Sequence, residues 1–494
     1  HVKIYQTILL VEVVTLRKHI HVFMAFLTVL LLFTSISLAQ KYKGPEDQKR
    51  QEEMYDKLKI ARSAEMQTDT SESFITIPAD YPDVIDFDVA KTPPTIEFAI
   101  VQGLDPWYLP SFEYKTGGIY GGWGDVTRGP DDCFYFSIGN HMSYGGTAYM
   151  IKYDPVKKEQ YIVVDLKKVA GYGNDVFGDG KFHGDPDIGP GGDMWLLSFF
   201  GPGPDEKELA TVYNGSWLIR YNIFSGEIEN LGILLEGESW PYHSYDWQRG
   251  LLFGVGAIKN YVISYDTKER RLVYGGAPPQ NIHWNQRGIM LDRETGKIYT
   301  TDSYGEKVST HKFVCYERRN NKFTIMNSRP PAHPVTGQHN QLRAHTEYKD
   351  DNGAFWCFDQ KGTFFRFYPE EDTVELVGLN WGKEGQYIAN MSFSPKKRYI
   401  YYVINAATSG NKLGTPVVQY DIMTNRKKVI AFIHEFYLEK YGYGAGGTYG
   451  LELDVKGESI FFYTNGRFTT KELSSTYGRN AIFHIHIPES ERIE

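Results

Sequence analysis

The chain has 494 residues, of which 41% are hydrophobic, 15% aromatic and 23% charged, enough apolar material for a large core. A net charge of −8 argues against a general nucleic-acid binder, because phosphate contact needs a basic surface. The three cysteines, Cys133, Cys315 and Cys357, are too few and too scattered for a disulfide framework and read as buried free thiols.

From Met24 the stretch "MAFLTVLLLFTSISLAQ" runs apolar into a small-x-small pattern, which predicts a signal peptide cleaved near Ala39. A secreted or periplasmic protein without a stable membrane anchor is the expectation. Residues 1–39 are then the upstream segment and signal peptide, and residues 40–93 a charged linker or loosely docked segment. Residues 94–494 alternate strand-like runs with turn residues throughout.

Within that region one phrase repeats, an apolar-alternating strand closed by Tyr-Asp or a close variant. The copies end at Tyr153, Tyr221, Tyr265, Tyr316, Tyr368 and Tyr420, with a seventh at Ile485. A turn-linked strand pair precedes each copy, such as "PDIGPGGDMWLLS" or "IMLDRETGKIYTTD", and a further apolar segment such as "TVELVGL" follows. Seven four-stranded units predict an all-β fold, a seven-bladed β-propeller, with a pair of β-sandwiches as the competing reading. The segment "TIEFAIV" (95–101) is placed to pair into the final blade and close the ring.

The first strand of each blade lines the channel of a propeller. Aligning the copies on the residues that open the first turn, Asp187, Asp246, Asp292, Ser394 and Asp454, sets His183, Tyr242, Gly288, Asn390 and Gly450 in one register, with His345 near it. Loops after the second strands add His141, Lys259 and Tyr304. One channel mouth is therefore expected to gather His141, His183 and Tyr242 as catalytic candidates. His243, Tyr245, Lys259, Arg287 and Tyr304 are substrate-binding candidates, although an extended chain turns His243 to the opposite face.

His283, Cys315, His339 and His345 supply imidazole and thiolate donors in adjacent blades, the ligand types of a structural Zn²⁺. His339 and His345 with Gln338 or Gln341 are the alternative, an open site for Mn²⁺, or for Ca²⁺. No GxSxG, Walker or HExxH motif is present, nor a GxGxxG opening a helix, which argues against serine hydrolases, dinucleotide enzymes and common metalloproteases.

Across about residues 95–490 the chain resembles the secreted polysaccharide lyases built on seven-bladed propellers, the ulvan lyases most and the oligogalacturonate lyases more distantly. The resemblance rests on the blade count, the signal peptide, His141 and His183, Tyr242, and the downstream His/Cys set. It implies that histidine and tyrosine do acid/base work, that an arginine with a second histidine meets a uronate carboxylate, and that zinc is structural. Lys259 stands where that pattern has the arginine. The implied reaction is β-elimination at a uronic acid of an anionic, ulvan-type polysaccharide. It needs a neutralised carboxylate, a base for the C5 proton and an acid for the departing oxygen. A tyrosine in that role is expected to need cations that lower its pKa. A metal-dependent oligogalacturonate lyase and a non-catalytic carbohydrate-binding propeller are the alternatives.

Overall fold

The repeated Tyr-Asp phrase is the end of a hairpin. Asp154 Oδ1 accepts hydrogen bonds from the backbone N–H groups of Val156 and Lys157, and Asp266 Oδ1 from those of Lys268 and Glu269, so the acidic side chain starts the turn. Asn222 does the same with Phe224 and Ser225. Four residues beyond each strand end the backbone turns left-handed, at Lys158, Gly226, Arg270, Asn321, Asp372 and Asn425. Such a residue after a turn lets a short hairpin loop match the strand twist.

The computed structural model describes residues 65–79, 81, 86–101, 121–140, 143–144, 146–173, 176–200, 213–279, 282–303, 310–404, 413–468 and 479–493. They form a seven-bladed β-propeller of antiparallel blades. The inner strands are Val126–Arg128, Lys181–Phe182, Tyr242–Asp246, Met290–Leu291, Leu342–His345, Ser392–Phe393 and Leu451–Leu453. The third strands are Ala148–Asp154, Trp217–Asn222, Val262–Asp266, Phe313–Glu317, Thr363–Tyr368, Pro416–Asp421 and Arg479–His486, and each carries one of the seven repeated phrases. Aromatic side chains fill the seams between blades. Phe134 stacks on Phe461 at 4.6 Å between blades 1 and 7, and Phe313 on Phe367 at 3.9 Å between blades 4 and 5. Cys133, Cys315 and Cys357 are buried free thiols.

Blade 7 takes its outer strand from the other end of the domain. Thr95–Ile100 pairs antiparallel with Arg479–His486, as the sequence pattern anticipates, and Gln67–Thr70 pairs on its far edge. Residues 65–79, 81 and 86–93 are bound to blades 6 and 7 rather than loosely docked. Phe74 is buried against Phe436 and Tyr437, Phe87 stacks on Trp381 at 4.8 Å, and Asp88–Val89 pairs in parallel with Arg426–Phe432. The charges in this stretch suggest a solvated linker, but its few aromatic residues decide where it lies. The predicted signal peptide and residues 40–64 lie outside the described residues.

Glu97 on the closing strand locks the seam. Its carboxylate meets His484 Nδ1 at 3.1 Å and His486 Nε2 at 3.4 Å in blade 7, then reaches blade 1 at Lys158 Nζ (2.7 Å) and Tyr153 OH (3.3 Å). Burial opposes its ionisation, but the hydrogen bonds from His484, His486 and Lys158 outweigh this and hold the carboxyl well below the usual range. The same burial keeps His484 neutral by lowering its pKa. A carboxyl depressed by folding stabilises the fold above its unfolded pKa and loses that contribution in acid. Glu97→Gln is expected to cost about 2–4 kcal/mol near neutral pH. Thermal melting should show the gap to wild type narrowing below about pH 4, where the unfolded chain's carboxylate protonates.

Candidate functional site

The segment "GDGKFHG" (178–184) enters blade 2 under tight steric control. A Cβ on Gly180 would overlap the Asn140 carbonyl, and one on Gly184 would overlap the His243 imidazole. Glycine therefore lets this strand press against blade 1 on one side and blade 3 on the other. Residues two apart on an extended chain share a face, so Lys181 and His183 act as a pair. Lys181 is 3% exposed, with Nζ 4.3 Å from the ring centre of Trp123 and 5.2 Å from that of Phe199. His183 is 2% exposed, stands edge-on to Phe199 at 5.8 Å, and has Nε2 3.0 Å from Arg287 Nη1. A guanidinium only donates, so Nε2 is the acceptor and the imidazole is the neutral Nδ1–H tautomer.

Arg343, on the inner strand of blade 5, spans three blades. Nη1 donates to the carbonyls of Arg287 (2.9 Å) and Ala389 (3.2 Å), and Nε to the Tyr387 hydroxyl (2.5 Å). Its guanidinium also lies over the rings of Tyr387 and Tyr449. Asn390 donates to Asp125 across the channel from blade 6 to blade 1. Burial pushes the Asp125 carboxyl up to about 7, and burial with the charge of Glu347 pushes Glu452 up to about 8. Asp185 is raised well above its ordinary value by burial and by Asp187 and Asp125.

The two ends of the channel are electrostatically unlike. Residues of the turns that follow the inner strands are ion-paired across blades. Asp187 meets Arg293, which also holds Glu347 at 2.9 Å, while Lys349 pairs with Asp292 (3.1 Å) and Glu294 (2.8 Å). At the opposite end, where the chain enters the inner strands, stand Lys181, Arg287 and Arg343. Among the described residues none of these three basic side chains has a salt-bridge partner, whereas Arg293, Lys349 and Arg249 all do.

The candidates read from the sequence distribute as follows. His183 and Arg287 are in direct contact, and Tyr242 opens the inner strand of blade 3, 8% exposed. Burial, then Asp125 and Asp185, raises the Tyr242 phenol well above its ordinary pKa, with Arg343 opposing only in part. The expected cation-lowered tyrosine is thus a firmly protonated one. Its desolvation and carboxylate neighbours outweigh Arg343. His243 points away from the mouth, buried against Gly184, and burial lowers its pKa to about 3. Its ring packs on Gly184 and its carbonyl accepts from the Asp185 N–H, which fixes the His183 segment. Tyr245 packs on Trp195 in the core between blades 2 and 3. Lys259 lies on the rim of blade 3, its ammonium held by the Glu236 carbonyl at 3.0 Å. His141 and Tyr304 lie outside the described residues.

The metal candidates do not assemble. Cys315 is buried among Tyr299, Phe313 and Met290, its thiol pushed up to about 12 by burial. His339 Nδ1 bonds the Pro330 carbonyl at 2.7 Å, His345 Nδ1 bonds the Thr346 carbonyl at 3.1 Å, and the His283 backbone N–H bonds Asp302. Among the described residues only Glu97, His484 and His486 bring three donor atoms within 4.8 Å of one another. A Zn²⁺, Mn²⁺ or Ca²⁺ site on His283, Cys315, His339 and His345 therefore does not fit this geometry. Adjacency of blades in sequence placed them together, but their side chains take different faces and seams.

Lys181, Trp123, Arg343, Tyr387 and Tyr449 were not anticipated by the sequence reading. The alternation of Lys181 with His183, and of Arg343 with His345, is the signal that marks two of them.

No family model matches the chain, and no curated protein is significantly similar to it. Among solved structures, the extracellular domain of BT4673 from B. thetaiotaomicron, assigned as a one component system, is 12% identical. It matches with a TM-score of 0.44 over 73% of this chain and 38% of that one. A second structure of that extracellular domain, there assigned to a hybrid two component system, is 11% identical with a TM-score of 0.45 over 78% and 39%. The chain spans about two fifths of the length of these neighbours. Among the described residues no helix is long and apolar enough to cross a membrane.

A carboxyl raised by folding stabilises the fold below its unfolded pKa and loses that contribution as the pH rises through its folded value. Glu452→Gln is therefore expected to leave the melting temperature unchanged near pH 4. It should raise it by about 2 °C or more near pH 9, with the gain growing between about pH 4.5 and 8, as a pH series of thermal melts would show.

Proposed function

We propose that this protein is a secreted polysaccharide lyase that cleaves a uronic-acid-containing, ulvan-type polysaccharide by β-elimination. The observation that carries the reading is a pair of arginines, Arg287 and Arg343, without salt-bridge partners among the described residues, the first bonded to the neutral His183 and the second near the protonated Tyr242.

The C5 proton of a uronate becomes acidic enough to remove only when the adjacent carboxylate is neutralised, and Arg287 is placed to do this with Arg343 behind it. Once the carboxylate takes the Arg287 N–H groups, the Nε2 lone pair of His183 is released from its hydrogen bond and becomes the base. The C5–H electron pair then forms the C4=C5 double bond, and the C4–O pair leaves with the oxygen. Tyr242, held protonated, gives its proton to that oxygen, and the proton on His183 returns to the tyrosine through solvent. Binding of the anion thereby switches on its own base.

Incubation with ulvan, pectate and alginate, followed by the ultraviolet absorbance of the conjugated uronate, tests the reading. A rise on one of these substrates is expected, with Tyr242→Phe and His183→Ala each reducing the rate by about 10²-fold or more. Undiminished rates in both variants would dismiss the assignment, and saccharide binding without any absorbance rise would mark a non-catalytic propeller instead.

A further inference from the structure

Lys181 is an unusual side chain for its position. It is almost wholly buried, yet among the described residues its ammonium has no hydrogen-bond acceptor and no carboxylate partner. Its neighbours are the faces of Trp123 and Phe199. The elements packed on it are the second and third strands of blade 1, Phe134–Gly139 and Ala148–Asp154, and the second strand of blade 2, Asp193–Phe199. Of the charged groups, Arg287 faces it, and that charge is of the same sign. Asp179, two residues earlier, is turned elsewhere, bonded to Ser198, Tyr213 and Ser216. Buried lysines normally carry a partner, because an isolated ammonium in a low-dielectric site is costly. Here, among the described residues, that partner is missing, while His183, two residues on, bonds Arg287.

We propose that Lys181 and Arg287 form an oxyanion subsite that receives the carboxylate or sulfate group of a sugar, and that Lys181 binds a proton as the anion enters. The inference rests on the reading that the ligand is an anionic saccharide, and it adds a residue and a coupling that this reading does not contain. In the empty site, burial and then the Arg287 charge hold the Lys181 pKa well below its ordinary value, favouring the neutral amine. An oxyanion placed between the amine and the guanidinium reverses the balance, because it attracts the ammonium form and screens Arg287. The aromatic box then has a second use, since Trp123 and Phe199 present their π faces to the ammonium once it forms. Proton transfer from solvent to Nζ makes one N–H bond and leaves the sugar unchanged, so no further reactant is needed.

Calorimetric titration of the intact protein with sodium glucuronate and with glucose 6-sulfate, near neutral pH, separates the carboxylate and sulfate sources. Each titration is run in PIPES and in Tris, whose ionisation enthalpies differ. One of the two anions is expected to bind with an apparent enthalpy that depends on buffer, corresponding to uptake of up to one proton. Lys181→Met should weaken that binding by about tenfold or more and abolish the buffer dependence. Lys181→Arg, always charged, should retain binding and lose only the buffer dependence. Wild-type protein that binds neither anion, or equal affinity in Lys181→Met, overturns the subsite. Wild-type binding with no buffer dependence overturns the proton coupling. Neither probe has a glycosidic bond to eliminate, so this outcome is independent of turnover. Anion binding with no lyase product keeps the subsite and discards the lyase, and product formation unaffected by Lys181→Met does the reverse.

Discussion

A ring of sheets is only as stable as its last joint. Here that joint is a strand from before blade 1 laid along the third strand of blade 7, so that no blade is left with an open outer edge at the seam. Glu97 extends the joint beyond backbone pairing by bonding to two histidines of blade 7 and to Lys158 and Tyr153 of blade 1. Everything at the channel depends on this, since residues from separate blades converge only if the ring is held at one circumference. Asn390 reaching Asp125, and Arg343 reaching both Arg287 and Ala389, are contacts that a slipped ring would lose.

The division of charge along the channel follows from the same geometry. The turns after the inner strands bring Asp187, Asp292, Arg293 and Glu347 from neighbouring blades into mutual reach, and their charges cancel locally. At the entry end the arginine hydrogen bonds go to carbonyls, a phenol and an imidazole, which satisfy the donors without neutralising the charge. Asp125, Asp185 and Glu452 are disposed toward their protonated forms by burial and by neighbouring carboxylates.

Much of this fold could be read directly. All seven repeated phrases are third strands, and at Asp154, Asn222, Asp266 and Asp421 the phrase has a local cause, an aromatic residue for the seam followed by a side chain that starts the turn. Of the residues on which the copies are aligned, Asp246, Asp292 and Asp454 cap their own turns. Asp187 shows where such alignment stops, because its carboxylate bonds Ser244, Tyr245 and Arg293 in other blades. Parity already turned His243 to the face opposite Tyr242, whereas the grouping of His283, Cys315, His339 and His345 lay beyond reach for a related reason. Sequence gives a residue's strand and its parity but not which seam its side chain enters, and the burial of Cys315 among aromatics is a property of two blades together. Lys181 was legible in its alternation with His183, but that it has no carboxylate partner among the described residues is visible only in three dimensions.

The closing strand has a consequence for how the molecule is made. Thr95–Ile100 leaves the ribosome early, yet its ladder partner ends at His486, so nearly the entire domain must be synthesised before the two can meet. In that interval a β-rich, largely apolar segment stands with one side unmatched, the kind of template on which nascent chains stick to each other. Gln67–Thr70, which is made just before it and covers its other side, halves the hazard from the outset.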